Sequence, residues 1–162
     1  MAVKSPYITR EGYDALREEE TALWKKRRRV VKILAAAAAE GDRSENAEYI
    51  YRKKQLREMD RRIRYLQKRI PELKRIEGPP HNTEQVFFGA WVTLEDEKGE
   101  EVTYRIVGAD EFVPQKNWIS MDSPMARALL GKSLDEEIQV ETPSGRKELL
   151  LLKISYRHPE TS

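Results

Sequence analysis

The chain has 162 residues and a mass of 19.0 kDa, which fits one domain or two small ones. Charged residues make up 36% of it and hydrophobic residues 39%, which favours a small core attached to a solvent-exposed element over one large globule. No stretch approaches the roughly 20 apolar residues of a membrane span, and the N-terminus lacks a signal-peptide pattern, so we expect a cytoplasmic protein without a membrane partner. The lack of cysteine excludes disulfides, and two distant histidines, His81 and His158, argue against a histidine-based zinc site or a Ser-His-Asp triad.

The charge is distributed unevenly along the chain. Residues 1–77 carry 21 basic and 13 acidic side chains, whereas residues 78–162 carry 9 and 15. The sequence Gly78-Pro79-Pro80-His81-Asn82 lies between them, and tandem prolines end a helix. We therefore predict a first domain over 1–77, a linker over 78–83, a second domain over 84–158 and a flexible tail over 159–162.

The first domain has the apolar spacing of two helices. Alternating steps of three and four residues form a heptad seam late in this domain, at Leu56, Met59, Ile63, Leu66, Ile70 and Leu73. An earlier stretch has the same spacing at Tyr13, Leu16, Leu23, Val30, Leu34 and Ala37, interrupted by Glu20 and Arg27. Only the short polar segment 40–44 separates the two. The sequence therefore predicts an antiparallel coiled-coil hairpin.

The second domain has the pattern of short strands between turns. The predicted strands are Val86–Leu94, Glu101–Val107, Trp118–Met121, Ile138–Glu141 and Glu148–Ile154. Residues 123–131 predict one short helix, with Ser123 at its N-cap and Gly131 after its last turn. The predicted fold class is α+β, a helical hairpin followed by a small antiparallel sheet with one helix. Trp91 and Trp118 fall in strands and are interpreted as core residues.

An acidic cluster marks the predicted turn of the hairpin. Glu40, Asp42, Glu45 and Glu48 place four carboxylates within residues 40–48. One interpretation is helix capping, with Asp42 as N-cap and Glu45 reaching back as in a capping box. The other is that Asp42 and Glu45 share one Mg²⁺, an incomplete site that takes further ligands from a partner.

A line of cations follows on the second predicted helix. Residues 52–75 hold 11 basic and 3 acidic side chains. Heptad positions b and f, on the outward face, carry Lys54, Arg57, Arg61, Arg64, Lys68 and Arg75. A solvated surface is the alternative, but the single sign predicts contacts with a phosphate backbone. Tyr49, Tyr51 and Tyr65 are candidates for stacking on bases. Tyr49 continues the seam, so packing is the preferred interpretation for it.

Several segments resemble one known family. Residues 41–49, Gly-Asp-Arg-Ser-Glu-Asn-Ala-Glu-Tyr, are similar to the tip signature of Gre-type transcript cleavage factors. The basic run 60–66 is similar to the GreB branch of that family. Segments 87–92, 104–108 and 119–129 are similar to the C-terminal domain of the same branch. The resemblance covers nearly the whole chain, in register and in the family's order.

The resemblance implies an FKBP-like C-terminal domain and a monomeric factor that is not itself an enzyme. The hairpin would enter the secondary channel of bacterial RNA polymerase and stimulate Mg²⁺-dependent cleavage of backtracked RNA. Asp42 and Glu45 match the essential tip acids, which share Mg²⁺ with polymerase without binding it stably in the free protein. Ser44 matches a residue that places water or RNA.

The resemblance also implies two binding surfaces. The RNA 3′ segment would bind the cationic face, at Lys54, Arg57, Arg61, Arg64 and Lys68. The largest catalytic subunit of the polymerase would contact Asp122, Ser123, Pro124 and Met125, at the start of the short helix.

Three alternatives remain open at this point. An FKBP-like prolyl isomerase or chaperone needs an aromatic-lined pocket, for which the second domain has few aromatic residues. An autonomous nuclease is disfavoured because the tip offers no general base beyond its carboxylates and no pocket that excludes water. An anti-cleavage regulator of the same channel would have a different tip signature.

Overall fold

A computed structural model describes residues 4–40 and 46–157 of the chain. Its elements are β1 (Tyr7–Thr9), α1 (Arg10–Ala38), α2 (Ala47–Arg69), β2 (Lys74–Ile76), β3 (Trp91–Glu95), β4 (Glu101–Val107), β5 (Trp118–Ser120), α3 (Pro124–Leu129), β6 (Glu137–Thr142) and β7 (Gly145–Ser155). The described parts of 1–12 and 74–162 form one compact unit, the sheet unit, and those of 13–73 form another, the hairpin unit. None of the helices in these ranges has the length and apolar composition needed to cross a bilayer.

The seam of the hairpin unit follows the predicted spacing. Its buried side chains are Leu16, Val30 and Ala37 on α1 and Met59, Ile63 and Leu66 on α2. Arg27, which interrupts the apolar pattern, donates from Nε to Asp60 Oδ1 at 2.7 Å across the two helices. This hydrogen bond and the charge of Asp60 raise the pKa of the Arg27 guanidinium. The interruption is therefore a cross-helix ion pair that helps to fix the pairing register of the hairpin.

The sheet unit contains a five-stranded sheet with the order β5-β4-β3-β7-β6. Its apolar face packs with α3 into one core, formed by Val86, Ala90, Val92, Leu94, Ile106, Ala126, Leu129, Ile138, Val140, Leu149 and Leu151. A helical hairpin followed by a sheet domain with a short helix confirms the predicted fold class. The sheet is mixed, however, because β5 pairs in parallel with β4. The chain reverses before β5 in a turn closed by two backbone hydrogen bonds between Val113 and Trp118, and Asn117 within it has a φ of 59°.

One predicted strand differs from the structure, and the predicted short helix agrees with it. The strand predicted at Val86–Leu94 begins only at Trp91, because Gly89 has a φ of +88° and Ala90 donates to the Phe87 carbonyl in a turn. The short helix has its predicted cap, since Ser123 Oγ accepts from the Ala126 amide at 3.2 Å. Gly131 follows that helix with a φ of +83°, as predicted for the C′ position.

The predicted boundary at residue 77 differs from the division seen in the structure. Residues 4–12 and 74–77 belong to the sheet unit, because β1 and β2 pair in parallel and Lys74 donates to the Pro6 carbonyl at 2.8 Å. The tandem prolines lie inside this unit. Composition and charge could not reveal this, since the pairing joins segments more than sixty residues apart.

Two carboxylates of the sheet unit hold the N-terminal segment. Asp122 accepts from the Ser5 amide at 2.9 Å and from the Ser5 hydroxyl at 2.6 Å. Glu111 accepts from the Thr9 amide at 2.7 Å and from the Thr9 hydroxyl at 2.5 Å. The Thr9 hydroxyl in turn accepts from the Gly12 amide at 3.0 Å, which caps α1. Residues 10–12, at the start of α1, are thus part of the sheet unit.

We expect Glu111→Gln to lower the free energy of unfolding by about 2 kcal/mol. A glutamine amide group would face N–H and O–H donors that now point at a carboxylate, and hydrogen bonds to charged groups contribute roughly 1.5–3 kcal/mol. Urea unfolding measures the change. Glu97→Gln is the matched control, since Glu97 is exposed and should change stability by less than about 0.5 kcal/mol. Equal effects of the two changes would contradict a structural role for Glu111.

Candidate nucleic-acid and polymerase interfaces

Asn46 joins the two helix ends that flank the predicted tip. Its Oδ1 accepts from the Tyr49 amide at 3.1 Å, which caps α2. Its Nδ2 donates to the Ala37 carbonyl at 2.8 Å, in the last turn of α1, where that oxygen also accepts from the Glu40 amide at 3.2 Å. One amide side chain therefore fixes both ends of the segment that carries the acidic signature.

This arrangement overturns one of the two interpretations of the tip. The N-cap of α2 is Asn46, so the capping role suggested for Asp42 is wrong. Asp42, Ser44 and Glu45 lie outside the described residues, and their predicted roles stay predictions. Glu48 accepts from Arg52 Nε at 3.0 Å and is engaged in an ion pair within α2. Across 4–40 and 46–157, no three Asp, Glu, His or Cys side chains are grouped so as to hold a metal ion.

Asn46→Ala should destabilise the hairpin by about 1 kcal/mol, the usual cost of losing an N-cap side chain. Asn46→Asp keeps the acceptor for the Tyr49 amide and loses the donor to Ala37, so we expect a smaller loss. Urea titration followed by circular dichroism at 222 nm compares the two variants. A loss for Asn46→Asp equal to that for Asn46→Ala would contradict the capping geometry.

The predicted cationic line is present on α2 as an exposed, unpaired surface. Lys54, Arg57, Arg61, Arg64 and Lys68 are all exposed, and none has an ion pair or hydrogen bond with any described residue. Other arginines of α2 are paired: Arg52 with Glu48, Arg62 with Glu19 and Arg69 with Glu72. Among the described residues, ion pairs therefore involve other arginines of α2 and none of these five cations. We call these five residues the cationic stripe.

Arg75 does not belong to this stripe. The helix ends at Arg69, and Arg75 lies in β2 of the sheet unit, where its Nε is 3.9 Å from Glu77 Oε1. The heptad count that placed it on the same face assumed that the helix continued beyond Pro71.

The segment predicted to contact polymerase is partly committed to the fold. The Asp122 carboxylate binds Ser5, Ser123 caps α3, and Met125 packs against the core of the sheet unit. Pro124 is the exposed member of the four residues.

The sequence interpretation missed a buried arginine between two tryptophans. Arg105 is 7% exposed, and its Cζ lies 4.0 Å from the ring centroid of Trp91 and 5.0 Å from that of Trp118. Its Nη1 donates to Glu11 at 3.1 Å. Trp91 and Trp118 are half-buried, not core residues. Nothing local to the sequence of β4 indicates the two indole partners.

The tryptophans around Arg105 are also relevant to the alternative that the protein is a prolyl isomerase. Phe88, Trp91, Trp118 and Tyr156 line a cavity of about 570 Å³, so the sheet unit has more aromatic lining than its composition suggested. Arg105 also lines this cavity, with its guanidinium between the two indoles. A prolyl ring would meet a cation there, which is unfavourable for an apolar substrate.

Two family descriptions match the chain. "Transcription elongation factor, N-terminal" matches residues 6–74, and "Transcription elongation factor, GreA/GreB, C-term" matches residues 80–156. Together they cover both units and the elements that carry the tip, the cationic stripe and α3. The chain belongs to the GreA/GreB family of transcription elongation factors.

Individual relatives place it in the GreB branch of that family, as the resemblance implied. Transcription elongation factor GreB of Pasteurella multocida is 59% identical over 154 residues, which cover 94% of this chain and 98% of the relative. The GreB of Haemophilus influenzae is 58% identical over the same shares of the two chains. Among solved structures, GreA factor homolog 1 of Thermus thermophilus is 23% identical, with a TM-score of 0.44 over 94% of this chain and 99% of that one.

Proposed function

We propose that this protein stimulates the cleavage of backtracked RNA by bacterial RNA polymerase and so rescues arrested elongation complexes. Membership of the GreB branch supports an elongation factor that acts on polymerase. The observation that carries the proposal is the cationic stripe, because five exposed cations without partners among the described residues suit a flexible polyanion. In this proposal the protein works in the cytoplasm, as a monomer and as an accessory factor of the polymerase.

The tip acids would complete a metal site of the polymerase. Asp42 and Glu45 supply carboxylate oxygens, the donors that Mg²⁺ takes from proteins, usually one or two at a time. In a two-metal site one Mg²⁺ activates the attacking water and the other holds the leaving oxygen of the phosphodiester, and the tip acids would complete the coordination of the second ion. Asn46 ties the ends of the two helices that carry this segment, and Ser44 would help to place water or RNA.

The two units would have separate tasks. The cationic stripe would hold the extruded 3′ segment of RNA beside the hairpin. The sheet unit would bind the largest catalytic subunit of the polymerase around Asp122, Ser123, Pro124 and Met125. The exposed Pro124 ring is the direct contact, whereas Asp122 and Ser123 act by fixing the local backbone.

A reconstitution experiment tests the proposal. Backtracked complexes with labelled RNA are incubated with Mg²⁺ and with or without the protein, and the same RNA is incubated without polymerase. We expect rapid shortening of the RNA only when polymerase, protein and Mg²⁺ are all present. Cleavage of free RNA would identify a nuclease, and protection from the polymerase's own cleavage would identify an anti-cleavage regulator. Either result would overturn the proposal.

A further inference from the structure

The three tyrosines of α2 differ sharply in their surroundings. Tyr51 is 59% exposed, whereas Tyr49 and Tyr65 are half-buried. Tyr49 lies near Lys53, whose Nζ is 5.8 Å from its ring centroid, and Tyr65 lies near Arg62 at 5.4 Å. Of the three candidates for base stacking, Tyr51 is the one whose ring is open to a ligand.

The ring of Tyr51 is backed by an arginine held in place. Arg52 Cζ lies 5.2 Å from the Tyr51 ring centroid. Arg52 donates from Nε to Glu48 Oε1 at 3.0 Å and from Nη1 to Gln55 Oε1 at 2.9 Å. The two hydrogen bonds restrict the rotamers of the Arg52 side chain. Its cation–π contact therefore restrains the Tyr51 ring before any ligand binds.

Tyr51 also lies next to the surface on which we propose that RNA binds. It follows the N-cap Asn46 by five residues, which is about 7.5 Å along the helix axis. Lys54, the first cation of the stripe, comes three residues later and is therefore its neighbour on the helix surface. A nucleotide bound with its phosphate at Lys54 has its base within reach of the Tyr51 ring.

We propose that Tyr51 is a stacking platform for an unpaired nucleobase of the RNA that the cationic stripe binds; this inference rests on the proposed function. Aromatic side chains beside a cationic track are a common way to hold single-stranded nucleic acid, and the stacking tolerates any base. The stripe supplies salt-dependent affinity, and Tyr51 fixes a base close to the tip. Tyr51 is a positioning residue and takes no part in the chemistry.

Direct binding tests this without polymerase. The full chain is titrated with a fluorescently labelled single-stranded RNA at low salt, and then with an abasic ribose-phosphate oligomer of the same length. We expect Tyr51→Leu to weaken RNA binding about tenfold, within the range for one stacked base, and Tyr51→Phe to stay within about twofold. On the abasic oligomer all three proteins should bind alike. Trp24→Leu is the control, since Trp24 is an exposed aromatic on α1 with Arg27 5.9 Å from its ring.

Three results would overturn the inference. The first is that Tyr51→Leu binds RNA as tightly as the wild type does. The second is that Tyr51→Leu also binds the abasic oligomer more weakly than the wild type does. The third is that Trp24→Leu weakens RNA binding as much as Tyr51→Leu does. The same variants are then compared on backtracked complexes, where Tyr51→Leu should raise the half-saturating concentration and leave the maximal cleavage rate unchanged. Failure of the wild type to stimulate cleavage would overturn the proposed function, while the binding titration still decides the role of Tyr51.

Discussion

Asp42→Asn and Glu45→Gln should each reduce stimulated RNA cleavage to the rate of the polymerase alone. Both substitutions keep the size of the side chain and remove the negative oxygen donor that a shared Mg²⁺ requires. Polymerase binding should change little, because we assign docking to the sheet unit and RNA retention to the cationic stripe. The measurement is cleavage of backtracked complexes at saturating factor, with affinity taken from competition against labelled wild type.

Because Asn46 caps α2, we can also predict how a change at Asp42 affects stability. If Asp42 capped α2, its loss would cost about 1 kcal/mol of stability. Because Asn46 holds that position, Asp42→Ala, which would remove any capping side chain, should change the free energy of unfolding by less than about 0.5 kcal/mol. Glu40→Ala is the matched control, since Glu40 is an exposed acid beside the same segment. Full cleavage activity in Asp42→Asn, or equal loss in Glu40→Ala, would contradict the metal role of the tip pair.

The parts of the fold that sequence reasoning predicted depend on local repetition. The heptad steps around Met59 and Ile63 place those residues in the seam because helix geometry repeats within a few residues. The outward position of Arg57 and Arg61 follows from the same geometry, and both are exposed as predicted. The strand at Glu101–Val107 has its predicted bounds, since no turn residue interrupts its run.

The parts that it missed depend on contacts between distant residues. Glu111 looks like any exposed acid in sequence, yet it holds Thr9 through two hydrogen bonds across 102 positions. Asp122 was assigned to a partner, and its carboxylate binds Ser5 within the sheet unit. The division into two units differs from the predicted boundary for the same reason. Charge and proline content are local properties of a segment. They cannot indicate with which distant strand that segment pairs.

Neutralising three cations of the stripe should weaken rescue in proportion to the length of extruded RNA. We expect the triple variant Arg57→Gln, Arg61→Gln, Arg64→Gln to impair deeply backtracked complexes more than those backtracked by a few nucleotides. A longer extruded segment offers more phosphates to the stripe, and each lost contact removes counterion release. The measurement is the half-saturating concentration on complexes of defined backtracking depth, over a range of salt concentrations.

The salt dependence of RNA affinity can be predicted quantitatively. Contacts to single-stranded nucleic acid contribute a slope of about −0.7 each to log affinity against log salt, so three lost contacts should flatten the slope by about 2. The control removes the same charge from the sheet unit, with Lys98→Gln, Lys147→Gln and Lys153→Gln at exposed positions. That control should affect deep and shallow complexes equally. If the stripe variant also lost activity equally at both depths, with an unchanged salt slope, the exposed arginines would contact the wall of the polymerase and not the RNA.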